Sequence, residues 1–178
     1  MPNRYPQEAV TRDGRRLLIR PMDASDGDAL HEFFRRLPAE VRRFAWNRIG
    51  DRAVVDRWCR ELDYSKVFPL LAFDRSQVVA DVSLHHREKG PLRMVGRVTW
   101  LIDPRYRGVG LGTLLVNHFI GVARRRGLRH LTCMLISDLE ADAVKVLAGL
   151  GFEASRFPGY GVDPDGRPHD MTQMILAL

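Results

Sequence analysis

Apolar residues recur along this chain at two spacings, which predict where its strands and helices lie. Alternation of apolar and polar residues, or a short apolar run bounded by turn residues, indicates a strand. An apolar residue at every third or fourth position indicates an amphipathic helix. Strands are therefore expected at residues 15–20, 67–73, 77–87, 94–103, 130–136, 152–157 and 171–177.

Two amphipathic helices are expected early in the chain. Ser25, followed three residues later by Asp28, is typical of a helix N-terminus, and Asp51 has the residue type of an N-cap. An apolar stripe that would face a core follows each of them: Leu30, Phe33, Phe34 and Leu37 in the first helix, and Val54, Val55, Trp58, Cys59 and Leu62 in the second.

Two further helices are expected in the second half. One covers about residues 113–126, with Gly127 as its C-cap. Ser137 and Glu140 have the S-x-x-E spacing of a capping box and predict a helix that ends near Gly149. Tight turns join the early strands into an antiparallel meander, and the later order is βαβ-like. We therefore expect an α/β (α+β) fold with a mixed sheet and helices on both faces.

Composition predicts one soluble globular domain over residues 1–178. The chain is 45% hydrophobic and 28% charged, too apolar for a disordered chain and too charged for a membrane bundle. No apolar run approaches the roughly 20 residues that span a bilayer, and the opening MPNRYPQEAV lacks the apolar region of a secretory signal. We therefore expect a cytoplasmic protein without a membrane partner.

Cysteine and histidine spacing predicts neither a disulfide framework nor a metal site. Cys59 and Cys133 are far apart and lack CxxC spacing. Cys133 lies in an alternating strand pattern and is expected to be a buried thiol, not a nucleophile. His85 and His86 are adjacent in a strand, so their side chains point apart.

The net charge of +6 is explained first by a compositional bias of the whole chain; a binding surface for an anionic partner is the alternative. A basic surface attracts nucleic acid, acidic lipid or a phosphorylated ligand. The arginines are scattered along the chain, and no nucleic-acid reader motif is present, so a nucleic-acid partner is not favoured.

A glycine-rich segment between a predicted strand and a predicted helix, Asp103 to Thr113, carries the most chemistry. Gly108, Gly110 and Gly112 alternate there and remove side chains where a ligand could approach the main chain. Main-chain N–H groups at a helix N-terminus attract anions. The segment therefore predicts an anion cradle; the alternative, a simple connection, would need only one glycine.

Two common phosphate-binding motifs do not fit this segment. A dinucleotide fingerprint would need glycine in place of Thr113, and a Walker loop would need Gly-Lys-Ser/Thr where Gly112-Thr113-Leu114 stands. The remaining pattern, Arg107-x-x-Gly110-x-Gly112, resembles the R/Q-x-x-G-x-G/A motif of the GNAT superfamily of acyl-CoA-dependent N-acyltransferases.

The resemblance covers roughly residues 13–152. The segment DGRRLLIRPMDASDGDALHEFF (13–34) resembles the opening strand and helix of GNAT enzymes, and KVLAGLGF (145–152) resembles their late helix. The opening is most similar to the GNAT domains of bacterial protein-lysine acetyltransferases. The resemblance implies a GNAT-like fold whose central, mostly antiparallel sheet has six to seven strands.

The resemblance also implies an activity: an acetyl group passes directly from acetyl-CoA to a primary amine, on a protein lysine or a small molecule. The pantetheine arm would follow the strand at Leu101 and Ile102, and a main-chain N–H there would polarise the thioester carbonyl. The family would allow a homodimer. The diphosphate would be held by the main chain of Arg107, Gly108, Val109, Gly110, Leu111, Gly112 and Thr113.

Three positions depart from the family. Arg97 stands where the related lysine acetyltransferases have a glutamate base, and Leu147 stands where many members have a tyrosine acid. Glu140 replaces a frequent asparagine, and a helix-capping role would explain it. Because the usual base and acid are missing, a catalytically silent acyl-CoA sensor or interaction module is the alternative function.

Substitutes for the missing base are expected on the neighbouring strand. Asp81, Ser83 and His85 alternate and therefore share one face. If the turn at Gly90 sets the register, His85 lies opposite Arg97 and Ser83 opposite Thr99. Asp81 or His85 is then a candidate catalytic base; the alternative is a partly solvated strand face without catalytic function.

Overall fold

The computed structural model describes residues 5–45 and 49–178, so residues 1–4 of the opening segment and residues 46–48 lie outside the description. Among the described residues, one sheet of eight strands has the order β1-β2-β3-β4-β5-β6-β8-β7. The strands are β1 (Gln7–Val10), β2 (Arg16–Pro21), β3 (Val67–Asp74), β4 (Gln77–His86), β5 (Val95–Ile102), β6 (His130–Ile136), β7 (Glu153–Val162) and β8 (Pro168–Ala177).

Strand pairing confirms a mixed, mostly antiparallel sheet and corrects its size. β1 pairs with β2, β2 with β3, and β8 with both β6 and β7, all antiparallel. β5 and β6 are parallel. The eighth strand is β1, which the sequence pattern did not predict. The two final strands are also longer than expected, since their hairpin extends pairing to Val162 and Pro168.

Five α-helices connect these strands in the described part of the chain. Two differences from the expected bounds matter for the site. The glycine-loop helix begins at Leu111, two residues before the predicted start, and a short helix over residues 39–43 was not predicted. The helices are α1 (Gly27–Arg36), α2 (Ala39–Arg43), α3 (Arg52–Arg60), α4 (Leu111–Arg125) and α5 (Ala141–Gly149).

The chain contacts divide into two compact units. Unit 1 runs to Ser83 and includes Trp100–Leu111; unit 2 consists of Leu84–Thr99 and Gly112–Leu178. The expectation of a single domain remains a prediction. The core of unit 1 contains the predicted stripes of α1 and α3 packed against strand residues, among them Leu30, Phe33, Phe34, Val55, Cys59, Leu71 and Phe73.

Unit 2 has its own buried side chains on α4, α5 and the late strands. Gly96 is closely packed, because an added Cβ would lie 2.7–2.9 Å from the methyl groups of three leucines: Leu84, Leu128 and Leu131. Its largest buried residues include Leu115, Phe119, Leu131, Leu135, Leu147, Phe152 and Met174.

The ends of the helices confirm two expected caps. Asp51 accepts a hydrogen bond from the Ala53 N–H (3.0 Å) at the start of α3. Gly127 follows α4 with φ of +70°, and the Leu128 N–H donates to the Ala123 carbonyl (3.0 Å), as in a Schellman C-cap.

Two expected caps are wrong. Asp23, not Ser25, begins the first helical turn: it accepts a hydrogen bond from the Ser25 N–H (2.8 Å), and Asp26 accepts one from the Asp23 N–H (2.7 Å). Ser137 does not cap α5, because its hydroxyl pairs with Thr172 on β8 (2.7 Å). Glu140 instead accepts the Ile136 N–H (2.8 Å) at the end of β6.

The outermost strand, β7, is exposed along almost its whole length. Its pairing with β8 shifts register between Phe157 and Gly161. The rings of Phe157 and Tyr160, at either end of that irregular stretch, lie 5.7 Å apart.

Candidate active site

The glycine loop joins β5 to α4 by a tight, glycine-dependent path. A short 3₁₀ turn over residues 104–106 follows β5, and Asp103 caps it by accepting the Arg105 N–H (3.0 Å). Gly108 and Gly110 then have φ of +72° and +88°. Other residues rarely adopt this left-handed region, so the chain needs glycine at both positions.

Main-chain donors at this loop belong to the start of α4. The first four N–H groups of a helix have no acceptor within the helix, and the helix dipole places partial positive charge there. With Gly110 immediately before α4, they belong to Gly110, Leu111, Gly112 and Thr113, so the early start of α4 brings Gly112 and Thr113 into its first turn. Alternating left- and right-handed residues next to such donors form an anion-binding concavity. The Arg107 N–H, in contrast, donates within the turn to Pro104 (3.2 Å), and the Arg107 side chain is exposed.

Salt bridges and hydrogen bonds hold the turn that precedes the loop. Arg105 binds both carboxylate oxygens of Asp103, with distances of 3.1 Å from Nε and 2.7 Å from Nη2. Burial opposes ionisation of Asp103, but these bonds and the charges of Arg105 and Arg36 outweigh it and lower the pKa. The buried Tyr106 donates its hydroxyl to Asp74 (2.6 Å). These contacts fix the position of the turn from which the glycine loop starts.

β5 pairs with β6 at its beginning and leads into the glycine loop at its end. The described pairing covers Val95 to Arg97 and includes the pair Arg97–Thr132. Leu101 and Ile102, the expected pantetheine positions, lie at the end of β5 and are half-buried.

Asp81 is a partly buried carboxylate on β4. Its neighbours in the chain, Ala80 and Val82, are fully buried. Burial raises the pKa of Asp81 to about 7, and the Ser83 hydroxyl, which donates to it at 3.4 Å, opposes that rise. A carboxyl with a pKa in this range can accept or donate a proton near neutral pH.

His85 lies two strand positions beyond Ser83 and has different surroundings. Its Nε2 hydrogen-bonds the Thr99 hydroxyl (2.9 Å). Burial and the positive charge of Arg97 lower the pKa of His85 to about 4, so the ring is neutral at pH 7. Because strands rise about 3.3 Å per residue, Asp81 and His85 are about 13 Å apart along β4. They cannot act on the same proton.

The positions of the missing family residues hold unreactive groups. Arg97 is exposed, and Leu147 is buried in unit 2. Cys133 is also buried, which raises its pKa to about 12 and makes it a poor nucleophile.

Neither a cluster of metal ligands nor a helix able to span a membrane occurs among the described residues. No group of three or more His, Cys, Asp or Glu side chains in residues 5–45 and 49–178 could hold a metal ion. In the same part of the chain, no helix combines the length and apolar character needed to cross a bilayer.

The sequence pattern did not predict the residues of the β1–β2 turn that hydrogen-bond to the loop. The Arg12 N–H donates to the Val109 carbonyl (2.9 Å), and Arg15 Nη1 donates to the Arg105 carbonyl (2.9 Å). Both arginines belong to the turn between β1 and β2. The dipeptide Asp13-Gly14, a frequent hairpin signal, could have indicated that turn.

Comparisons with known proteins assign a family. The sequence model described as an acetyltransferase (GNAT) domain matches residues 16–153. An acetyltransferase from Pseudomonas aeruginosa is 32% identical over 181 aligned residues, which cover 93% of this chain and 85% of that protein.

Solved structures share the fold. The protein yncA from Salmonella typhimurium, solved with its cofactor acetyl-CoA, has a TM-score of 0.76 at 26% identity, over 91% of this chain and 94% of that one. The GNAT domain of PAT from S. lividans has a TM-score of 0.80 at 21% identity, over 100% of this chain and 99% of that one. At that identity the second likeness supports the fold alone. Taken with the family match over most of its length, these similarities show that the chain belongs to the GNAT superfamily and is an acyltransferase.

Proposed function

We propose that this protein transfers an acetyl group from acetyl-CoA directly to a primary amine, on a protein lysine or a small molecule. The observation that carries the proposal is the loop at the start of α4, where two left-handed glycines precede a set of main-chain donors. A diphosphate needs donors and positive potential there but no particular side chain.

Acetyl-CoA supplies an activated thioester carbonyl. Main-chain donors at Gly108 to Thr113 hold its diphosphate, and Arg107 adds an exposed positive charge nearby. The end of β5 offers main-chain groups to the pantetheine arm at Leu101 and Ile102, where an N–H polarises the carbonyl. Most of the rate gain then comes from holding amine and carbonyl together.

Asp81 is the better of the two candidate bases. A general base works best when its pKa is near the operating pH, and burial raises the pKa of Asp81 to about 7. His85, whose pKa is lowered to about 4, is too weak a base to hold an amine proton. We assign it the role of a neutral hydrogen-bonding group. Transfer is direct, because the buried Cys133 is not available to carry the acyl group.

Coenzyme binding tests the loop assignment. Isothermal calorimetry with CoA should show binding to the wild type and about tenfold weaker binding to Gly110→Ala, because a left-handed alanine costs roughly 1–2 kcal/mol and its Cβ would meet Arg12. Gly50→Ala is the control, since a Cβ at residue 50 meets no atom within 4 Å. Equal affinities in the two variants would remove the loop from the site.

Activity tests the chemistry. Thiol release from acetyl-CoA with lysine peptides or pooled small amines should show turnover, and kcat/KM should rise with pH through about 7 as Asp81 loses its proton. Asp81→Asn should lose that inflection, whereas Asp142→Asn, at an exposed carboxylate, should keep it. Tight CoA binding without turnover of any acceptor would instead favour the acyl-CoA sensor.

A further inference from the structure

The turn between β1 and β2, residues 11–15, lies against the glycine loop but outside the segment that matches the family model, which begins at residue 16. The Arg12 N–H donates to the Val109 carbonyl at 2.9 Å. The Arg12 side chain lies beside the next residue: a Cβ on Gly110 would be 3.4 Å from its Nε and 3.5 Å from its Cγ. The turn therefore meets the loop at the Val109–Gly110 peptide, between the two left-handed glycines.

The turn holds its own shape. The Gly14 N–H donates to the Thr11 carbonyl (2.9 Å), and Gly14 has φ of +86°. This is a three-residue hairpin loop in which Arg12 and Asp13 are the central residues of the β-turn. Thr11 and Arg15 close it through a main-chain hydrogen bond of 3.0 Å, and Asp13 binds both the Thr11 hydroxyl (2.5 Å) and Arg15 (2.7 Å).

A second contact fixes the loop on the other side of Arg107. The Arg15 guanidinium stacks over the Tyr106 ring, 4.4 Å from its centroid, and donates to the Arg105 carbonyl at 2.9 Å. The loop is thus held before and after its first glycine by one preformed turn.

The contact to Val109 sets the direction of a donor. A trans peptide is planar, and its C=O and N–H point in opposite directions. Because Arg12 binds the Val109 carbonyl, the N–H of the same peptide, that of Gly110, points away from the turn. We propose that the β1–β2 turn is a positioning element of the coenzyme site: it orients the Val109–Gly110 peptide so that the Gly110 N–H faces the diphosphate of CoA. The proposal rests on the proposed function, since it requires CoA at this loop.

A pair of substitutions at residue 12 separates the main-chain donor from the side chain. Arg12→Ala removes the side chain and keeps the N–H. Arg12→Pro removes both, and proline is favoured at this position of a β-turn, where φ is near −60°. The lost N–H does not belong to the β1–β2 ladder, because its acceptor is Val109.

Calorimetry with CoA on the two full-length variants measures the effect. We expect Arg12→Pro to bind CoA about fivefold more weakly than Arg12→Ala, the factor given by one hydrogen bond of ordinary net strength. Equal affinities of the two variants would overturn the proposal. If the wild type itself binds no CoA, the proposed function fails first, which distinguishes the two failures.

Two further measurements exclude a general folding defect. Acetylpantetheine lacks the diphosphate of acetyl-CoA. Arg12→Pro should therefore have a lower kcat/KM than Arg12→Ala with acetyl-CoA, but the same kcat/KM with acetylpantetheine. Equal losses with both acetyl donors would contradict a positioning role.

Should Arg12→Pro not fold, Arg15→Ala compared with Arg16→Ala repeats the test. Of these two side chains, only that of Arg15 contacts the 3₁₀ turn over residues 104–106. Equal CoA affinity of Arg15→Ala and Arg16→Ala would also overturn the proposal.

Discussion

Replacing Asp81 by asparagine should change how the stability of this protein depends on pH. The pKa of a free aspartate is 3.8, and burial raises that of Asp81 to about 7. Between these values the folded chain retains a proton that the unfolded chain has lost. Stability of the wild type therefore falls as pH rises through this window and levels off above pH 7.

The magnitude follows from linkage. Each pKa unit is equivalent to 1.36 kcal/mol, so above pH 7 the raised pKa of Asp81 lowers the free energy of unfolding by about 4 kcal/mol. This value is an upper limit, because the side chain keeps some access to solvent. Part of this cost is already present at pH 5, where the unfolded state is ionised. The loss between pH 5 and pH 8 is therefore about 2.5 kcal/mol. Asparagine has nearly the same shape and no charge, so the variant lacks this loss.

Urea unfolding at pH 5 and pH 8 measures the difference directly. The free energy of unfolding of Asp81→Asn minus that of the wild type should increase by about 2.5 kcal/mol between the two pH values, with an unchanged dependence on urea. Other titrating groups cancel in this comparison. Asp142→Asn, at a fully exposed carboxylate, should show no such increase. A constant difference for Asp81→Asn would refute the assignment of a buried, proton-retaining carboxyl.

Two other predictions concern packing and thiol chemistry. Gly96→Ala should lower the free energy of unfolding by about 1–3 kcal/mol, because its Cβ would collide with methyl groups of buried leucines; thermal melts compared with Gly50→Ala, where a Cβ has space, measure this, and equal melting temperatures would be evidence against the packing. Cys59 and Cys133 should resist a thiol reagent at pH 8 in the native protein and react after denaturation, because burial raises their pKa values to about 11 and about 12; rapid native labelling would contradict the burial.

The glycine loop could be predicted from sequence because its requirement is local. Left-handed backbone at Gly108 and Gly110 needs glycine whatever surrounds it, and the loop lies between a strand and a helix that have clear apolar periods. The parts that support the loop could not be predicted in the same way. Arg12 and Val109 are far apart in the chain, and no local pattern specifies that one binds the other.

Tertiary contacts also explain the wrong expectations. Ser137 and Glu140 satisfy a local capping pattern, but Thr172 on β8 offers the serine hydroxyl a partner across the sheet. Glu140 then binds the Ile136 N–H, so it has a structural role that the capping pattern did not predict. β1 was missed because its four residues are too short to give a clear alternation. Alternation alone made Asp81 a candidate base, whereas its pKa depends on the buried neighbours that only the fold supplies.

The irregular stretch of β7 hinders a strand of another molecule from pairing with this edge of the sheet. A long outer strand with unpaired main-chain groups is a template onto which another chain can add. Pro158 has no N–H to give such a chain, and Gly159 donates its own to the Asp170 side chain (2.8 Å). The register shift at the same place bends the strand away from a straight pairing edge. An incoming strand would thus meet two short segments in place of one continuous ladder, which disfavours open-ended association at this edge.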